Sequence, residues 1–215
     1  MVFVVWYPFP LAKALGVTEL VLLVLLIDVI IGPILGLVVY KEHKKSLKYD
    51  LALIIGIQIV ALGYGLTTVF QGRPSWVVFD YSAFHVVKYS DVEKTNFNVH
   101  YDDINQKPNW FGVQYVSLGA STSNHLDRHQ NSRFIIYSPE YYQALNQRKE
   151  RIQVAVLPLK LLNNYNEADK VKKNLEKNQN ANGWIALSAP VKDMVVLMNK
   201  DTAEVIKIVD LRPWN

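Results

Sequence analysis

Two long apolar runs near the start of this sequence constrain its fold more than any other feature. The runs cover residues 20–40 and 51–70 and contain almost no charged side chains, although Asp28 lies near the middle of the first. A helix needs about 20 apolar residues to cross a hydrocarbon layer of about 30 Å. Each run meets that requirement, so the sequence predicts two transmembrane helices joined as a hairpin.

The short segment between the runs, residues 41–50, sets the expected orientation. It carries four lysines and two acids, whereas the flanking segments offer only Lys13 and Arg73 close to the runs. Basic residues in short loops stay on the cytoplasmic side of a membrane, so we expect a cytoplasmic loop and flanking segments on the outer side. Aromatic rings concentrate at both membrane interfaces. The rings expected at the outer interface are Trp6, Tyr7, Phe9, Phe70 and Trp76, and those at the inner interface are Tyr40 and Tyr49.

Hydropathy divides the 215 residues into three parts. Residues 1–17 form a tail, residues 18–72 form the hairpin, and residues 73–215 are long enough for one ordinary domain. Residues 2–5 and the Trp-Tyr-Pro that follows are typical of the last turn of a membrane helix. We therefore interpret the tail as an outer segment or as the remnant of an upstream third helix.

Composition excludes several classes of function. The sequence contains no cysteine, which rules out disulfides, thiolate catalysis and Cys-ligated metals. Its formal net charge is +4, of which the loop at residues 41–50 supplies part, and no dense basic stripe remains elsewhere. Nucleic acid is therefore not an expected partner.

The first apolar run contains a candidate contact face. Asp28, Gly32 and Gly36 recur at intervals of four residues and therefore share one side of a helix. Glycines at this spacing allow another helix to approach closely. Pro33 lacks the backbone donor that a helix needs, so it predicts a kink.

The second run carries small residues on two nearly opposite faces. Ala52, Gly56 and Gly63 lie on one face, and Ala61 and Gly65 lie with Gln58 on the other. One face can pack on the first helix, while the other predicts a further helix. The candidate helix-contact residues of both runs are Asp28, Gly32, Pro33, Gly36, Gln58, Ala61 and Gly65.

Asp28 needs an explanation of its own, because an acid at mid-bilayer costs about 2.5–3.5 kcal/mol on insertion scales. Tyr64 lies at a matching depth in the second helix, whereas Gln58 lies lower. A structural pairing of Asp28 with Tyr64 and recognition of a partner helix both remain open. A single acid in two helices makes no pathway for ions.

Residues 73–215 predict an α+β domain outside the cytoplasm. Helices are expected over residues 139–151, with Ser138 as N-cap, and directly after Asn166, which also has the chemistry of an N-cap. Runs of β-branched and aromatic residues predict strands. These runs are residues 76–79, 84–89, 111–118, 194–198 and 205–209.

No catalytic, cofactor-binding or metal site is expected. His125 and His129 form H-x-x-x-H, but the glutamate of a metalloprotease helix is absent. Ser121 lies in a Gly-Ala-Ser-Thr-Ser segment that lacks the final glycine of a nucleophile elbow. His85 and His100 have the surroundings of ordinary structural or surface residues.

Motifs distributed along nearly the whole chain carry a resemblance to a known family. They are Trp6-Tyr7-Pro8, Asp28-Val29 with Gly32-Pro33, Lys45-Ser46-Leu47-Lys48 with Asp50-Leu51-Ala52, Gln58 with Ala61-Leu62-Gly63-Tyr64-Gly65, Arg73-Pro74 with Val77-Val78-Phe79, and Asp210-Leu211-Arg212-Pro213-Trp214. In these motifs the sequence resembles the type IV pilin accessory proteins of the TfpX/TfpZ group. Residues 95–179 carry no motif of that group.

The resemblance implies a multi-pass protein of the bacterial inner membrane whose C-terminal domain lies in the periplasm. It implies an accessory, chaperone-like role in the assembly or stability of a specific type IV pilin, through binding and not through catalysis. The implied partners are a major or minor pilin, the pilus assembly machinery and membrane lipid. Members of that group carry a further membrane helix before Trp-Tyr-Pro, so we expect the natural product to begin upstream. The alternative is a membrane-anchored periplasmic sensor or adaptor of the cell envelope, in which the hairpin only tethers and signals.

Overall fold

The computed structural model describes residues 2–39, 47–93, 103–119 and 135–215. These residues form two compact units. The helical unit comprises Gly16–Gly72, and the sheet unit comprises the residues up to Leu15 together with Arg73–Asn215. The segment in front of the apolar runs therefore belongs to the same folded body as the C-terminal part of the chain.

The secondary structure alternates between the two units. The helices are α1 (Leu11–Ala14), α2 (Val17–Val39), α3 (Leu47–Gln71), α4 (Tyr89–Glu93), α5 (Lys149–Ala155) and α6 (Ala168–Glu176). The strands are β1 (Pro74–Phe79), β2 (Phe84–Lys88), β3 (Gln114–Leu118), β4 (Tyr142–Ala144), β5 (Leu157–Pro158), β6 (Gly183–Ser188), β7 (Met194–Asn199) and β8 (Glu204–Val209). Val2–Trp6 forms a π-helical turn, and 3-10 turns occur at Ile104–Gln106, Pro139–Tyr141, Leu145–Arg148 and Leu159–Asn164.

The helical unit consists of α2 and α3, which pack against each other. Val17–Val38 and Leu47–Gln71 are 22 and 25 residues long and apolar enough to cross a membrane by length and composition. Large apolar side chains stay exposed along both helices, such as Leu22 and Ile57, each 60% exposed. The two predicted apolar helices are therefore present, and they leave most of their apolar surface uncovered within the described chain.

The eight described strands of the sheet unit form one mixed sheet in the order β4-β3-β1-β2-β6-β7-β8, with β5 paired to β6. The pairs β1/β3 and β2/β6 are parallel, and the other neighbours are antiparallel. All six residues of β1 are buried, as expected for a strand near the centre of a sheet covered on both faces.

Alternating side chains of the central strands separate the core by sheet face. Val77 and Phe79 point into a cluster that also contains Phe84, Ile185 and Met194. Trp76 and Val78 point to the opposite face, where one cluster lies under β1 and β3 and a separate one lies under β6 and β7. Leu11 and Ala14, from the segment before the apolar helices, belong to the first cluster and are 2% and 0% exposed. Burial of this segment is what holds it in the sheet unit.

The predicted strands are confirmed in type, with shifts of a few residues at their ends. The strand expected over residues 111–118 begins only at Gln114, and the strand β6 was not foreseen from the sequence. The Gly-Trp-Ile-Ala-Leu-Ser segment of β6 is buried along most of its length and pairs with β2, β5 and β7. Its residues do not alternate between apolar and polar, so it lacks the sequence pattern by which a half-exposed strand is predicted.

The helix predicted over residues 139–151 was wrong in its first half. Tyr142–Ala144 pairs with β3 as an antiparallel strand, and the α-helix begins only at Lys149. Ser138 precedes Pro139–Tyr141 but its side chain makes no cap hydrogen bond. Pairing with an exposed strand edge therefore overrides local helix propensity here.

Two further expectations were wrong. Asn166 does not cap α6, whose N-cap is Glu167. Trp76 and Tyr7 are 0% and 2% exposed, so neither ring is available to a membrane interface. Trp76 instead donates its indole N–H to the carbonyl of Asn105 at 3.0 Å.

Candidate functional site

The contact between α2 and α3 is a seam in which glycine makes room for a polar side chain. A Cβ atom at Gly32 would overlap the amide nitrogen of Gln58, and one at Gly65 would meet Val24 Cγ1 at 3.5 Å. Glycine lets helices approach closely because it carries no side chain. Gly32, Gln58 and Gly65, three of the predicted helix-contact residues, therefore join the two helices of the hairpin to each other.

Other predicted helix-contact residues lie outside this seam. A Cβ atom at Gly36 would meet nothing within 4 Å in the structure. Pro33 and Ala61 are exposed. The predicted contact face is thus divided between positions inside the hairpin and positions with open space around them, and binding of a partner by the open positions stays a prediction.

The second small-residue face of α3 is open. Cβ atoms at Gly56 and Gly63 would meet nothing within 4 Å, and Ala52 is exposed. At about 100° per residue these three positions lie opposite Gln58 and Gly65. We call Ala52, Gly56 and Gly63 the open face of α3. The hairpin uses one of the two small-residue faces and leaves the other uncovered.

The pairing of Asp28 with Tyr64 stays a prediction, because the side chain of Asp28 lies outside the described residues. The ring of Tyr64 is 76% exposed. Near the end of α3, the Thr67 hydroxyl donates to the carbonyl of Gly63 at 2.8 Å, and that of Thr68 donates to Tyr64 at 3.0 Å. Both hydroxyls thus find their hydrogen-bond acceptors within the helix and need no water as a partner.

The chain enters the sheet unit through a buried arginine. Arg73 is 3% exposed, and its guanidinium carbon lies 4.4 Å from the centre of the Tyr89 ring and 5.9 Å from that of Trp110. Such distances are those of cation–π contacts. Burial lowers the pKa of Arg73, and burial raises the pKa of Tyr7, an effect that the nearby charge of Arg73 opposes. The Arg73-Pro74 motif thus fixes the start of β1.

The C-terminal motif closes the sheet unit as a clasp, which we define as Asp210 with its two lysine partners. Lys13 Nζ lies 2.6 Å and Lys192 Nζ lies 2.5 Å from the Asp210 carboxylate. Burial opposes ionisation of Asp210, but the hydrogen bonds from Lys13 and Lys192 outweigh it and lower the pKa of the carboxyl. The clasp joins the segment before α2, the loop between β6 and β7, and the end of the chain.

The residues that follow Asp210 extend this anchoring. Leu211 is fully buried. The Arg212 N–H donates to Asn166 Oδ1 at 2.8 Å, and Asn166 Nδ2 donates back to the Arg212 carbonyl at 2.9 Å. Trp214 Nε1 donates to Asp193 Oδ2 at 3.0 Å. The Asp-Leu-Arg-Pro-Trp motif therefore has a structural role, and Asn166 holds it in place through its two hydrogen bonds to Arg212.

A histidine and an acid meet at the turn between β1 and β2. His85 Nε2 lies 2.6 Å from Asp80 Oδ2, and Asp80 Oδ1 accepts the backbone N–H groups of Ser82 and Ala83 at 3.2 and 3.0 Å. Burial raises the pKa of Asp80, but the His85 contact and the backbone donors more than compensate and the pKa falls below its usual range. All of these contacts order the turn.

The described residues hold no cluster of three or more His, Asp or Glu side chains that could bind a metal. His125, His129 and Ser121, the positions considered for metal binding or hydrolysis, lie outside the described residues, as does His100.

Two exposed aromatic residues were missed by the sequence analysis. Trp110 and Phe111 are 67% and 71% exposed on the sheet unit. Adjacent bulky rings within the otherwise polar stretch of residues 103–112 were the available signal. Phe9, which was expected at the outer interface, is 74% exposed.

Curated relatives of this chain are proteins of Dichelobacter nodosus. The fimbrial assembly protein of serogroup I is 28% identical over 166 residues, and that of serogroup E1 is 29% identical over 166 residues. Each alignment covers 74% of this chain, and the chain spans 64% of the length of each relative.

A third relative is shorter. The fimbrial assembly protein of serogroups C1 and C2 is 36% identical over 94 residues, which cover 43% of this chain and 72% of the relative. No family model matches the chain. No solved structure matches it significantly.

Proposed function

Because this chain belongs to the type IV pilus accessory family of these fimbrial assembly proteins, we propose that it is an inner-membrane protein that binds one particular type IV pilin. In this role it supports the assembly or stability of that pilin in the manner of a chaperone and catalyses no reaction. The relatives' names support a part in assembling fimbriae. Binding of a pilin, and specificity for one pilin, go beyond those names and are proposed here.

The proposed placement puts α2 and α3 across the bacterial inner membrane and the sheet unit in the periplasm. The lengths and apolar composition of both helices support this. The lysines of the segment at residues 41–50 support a cytoplasmic position for it. Self-satisfied hydroxyls at Thr67 and Thr68 are also in keeping with a lipid surrounding.

The open face of α3 carries the proposal of a partner helix. A pilin before assembly presents a long apolar helix to the membrane, so a protein that holds it needs a free helix face there. Gly56 and Gly63 have open space beside them, whereas Gly32 faces Gln58 inside the hairpin. Small residues in such a face permit close packing, which is the main source of helix association in lipid.

The periplasmic sheet unit supplies a second contact, to the head of the same pilin, in this proposal. Two alternative roles are proposed for Asp28: it pairs with Tyr64, or it makes a polar contact to the pilin helix. Gly36 marks the alternative contact on α2, because the space beside it is also open.

The decisive test is cross-linking to the pilin in cells that carry a photoreactive residue in α3. Gly56→Ile together with Gly63→Ile fills the open face with branched side chains, and we expect at least a tenfold loss of cross-linking and of surface pili at normal protein level. Gly36→Ile tests the alternative contact with the same side chain. Ile57→Phe, which enlarges an exposed residue about 100° or more around the helix from the open face, is the control and changes neither readout. Unchanged cross-linking in the double variant contradicts the open face as the binding site.

Specificity needs a separate experiment. Deletion of the gene abolishes display of the native pilin and leaves a foreign type IV pilin displayed, if the protein serves one pilin. Equal loss of both pilins would contradict specificity. Scrambling the apolar residues of α3 at constant length distinguishes the rival sensor or adaptor, because a simple tether tolerates scrambling and a helix-binding face does not.

A further inference from the structure

Two chain segments of the sheet unit form an exposed apolar surface that the assembly role leaves unexplained. Phe3 and Val4, in the Val2–Trp6 turn, are 43% and 80% exposed, and Trp110 and Phe111 are 67% and 71% exposed. We call these four residues the aromatic patch. The Gly112 N–H donates to the carbonyl of Val5 at 3.0 Å, which ties the two segments together.

The backbone is shaped to make this connection. Gly112 has φ of +72°, a conformation that favours glycine, and it directly follows the Trp110-Phe111 pair. Single exposed apolar residues are ordinary on protein surfaces. Four large ones on two segments that are joined by a backbone hydrogen bond form a local concentration of exposed apolar side chains, a feature of the kind that marks an interaction surface.

Chain connectivity ties both segments of the aromatic patch to the apolar helices. The Phe3 and Val4 segment leads through α1 to Gly16, where the helical unit begins. The ring of Trp110 lies 5.9 Å from the guanidinium of Arg73, the first residue after the helical unit ends. The half that contains Trp110 therefore lies beside the point at which the chain leaves α3, and the half that contains Phe3 and Val4 belongs to the segment that leads into α2.

We propose that the aromatic patch inserts into the interfacial layer of the same bilayer that α2 and α3 cross, an inference that rests on the proposed membrane placement. Tryptophan and phenylalanine are favoured occupants of that layer, where apolar side chains reach the boundary of the acyl chains. Arg73 holds the ring of Trp110 from the protein side through its cation–π contact. In this proposal the aromatic patch holds its part of the sheet unit at the membrane surface.

The absence of cysteine makes a spin-label experiment direct, since each single-cysteine variant of the full chain has no competing thiol. Labels at Phe111→Cys and Val4→Cys test the aromatic patch after reconstitution into vesicles of phosphatidylethanolamine and phosphatidylglycerol. Val154→Cys is the control, because Val154 is 75% exposed on α5 of the same unit and lies outside the patch. Ile57→Cys, in α3, reports independently on membrane placement. Collisions with oxygen, which partitions into lipid, are compared with collisions with a water-soluble nickel chelate.

We expect the collision rate of the label with oxygen to exceed that with the nickel chelate severalfold at positions 4, 57 and 111. At position 154 we expect the collision rate with the nickel chelate to be the higher one. Water-like accessibility at 4 and 111, with a lipid-like label at 57, overturns the inference and leaves the membrane placement intact. A water-like label at 57 overturns the membrane placement itself. Labels at 4 and 111 that are shielded from both reagents indicate cover by protein, which also overturns the inference.

Discussion

The carboxylate of Asp210 accepts a hydrogen bond from the ammonium group of Lys13 at 2.6 Å, across a separation of 197 positions in the chain. Lys192 binds the same carboxylate, so three distant segments meet at one acid. This ion-paired acid lies at the start of the C-terminal motif Asp-Leu-Arg-Pro-Trp, whose next residue, Leu211, is fully buried. The motif therefore couples the end of the chain to the segment that leads into the apolar helices.

Replacement of Asp210 by asparagine should lower the free energy of unfolding of the sheet unit by about 1 kcal/mol, since two partly exposed ion pairs are lost. Denaturant unfolding of the detergent-solubilised full chain, followed by tryptophan fluorescence, measures this change. Glu176→Gln is the control, because Glu176 is an exposed acid at the end of α6, and it should change stability by less than about 0.5 kcal/mol. Equal effects of the two variants would show that the clasp contributes nothing.

Stability should fall in acid partly because of Asp80. Its pKa is lowered in the folded protein, so the unfolded state, with a value of about 3.9, binds the proton more readily. The stabilising contribution is complete above the unfolded pKa and is lost as the pH falls through the folded pKa. Asp80→Asn should therefore flatten the pH dependence of the unfolding free energy below about pH 5. An unchanged slope between pH 5 and pH 2.5 would contradict the contribution of Asp80 to stability.

The seam of the hairpin predicts a size-dependent response at Gly32. The atom that a Cβ would overlap is the amide end of the flexible Gln58 side chain, so Gly32→Ala should cost little. Gly32→Ile cannot be accommodated by that movement and should destabilise the hairpin by about 1–3 kcal/mol. Thermal unfolding in detergent measures the difference, and Gln58→Ala should relieve most of it. Gly36→Ile, at an open position, is the matched control.

The structure leaves no room for a side chain at Gly183. A Cβ there would overlap Val156 Cγ1 and approach the carbonyl oxygen of Leu157 to 3.0 Å, and the backbone oxygen cannot rotate away. Gly183→Ala should therefore lower the free energy of unfolding by about 1–3 kcal/mol. Gly119→Ala serves as control, since its Cβ would meet Tyr141 O at an ordinary 3.5 Å. Similar stabilities of the two variants in denaturant would disprove the close approach of β5 to β6.

The proposed orientation predicts which thiols a membrane-impermeant maleimide reaches. Val154→Cys, on the sheet unit, should be labelled in cells whose outer membrane has been permeabilised. Lys44→Cys, in the loop between the apolar runs, should react only after the inner membrane is also opened. Labelling of both positions, or of neither, in intact inner membranes would contradict the orientation.

The sequence predicts the apolar helices and the outer strands because their signals are local. Residues 194–198 and 205–209 carry the β-branched pattern of β7 and β8, and no tertiary context is needed to see it. Tyr142–Ala144 shows the opposite case. It reads as helix in isolation, and becomes a strand because the edge of β3 is free to pair with it.

The candidate sites were likewise predictable from the sequence only in part. Spacing alone places Gly32 and Gly36 on one face of α2, but only the three-dimensional contact with Gln58 distinguishes the occupied glycine from the open one. The partners of Asp210 could not be foreseen, because nothing in the sequence connects Lys13 and Lys192 to it. The Asp-Leu-Arg-Pro-Trp motif was visible as a motif, and its structural role was not.

The sheet unit is assembled from residues on both sides of the helical pair, since Leu11 and Ala14 share a core cluster with Ile185 and Met194. If α2 and α3 cross the membrane, this core can close only when the segment before α2 and the chain after α3 lie on the same side of it. A hairpin with only one helix inserted would keep Leu11 and Ala14 away from this core. Under the proposed membrane placement, folding of the sheet unit and insertion of the whole hairpin are therefore coupled steps.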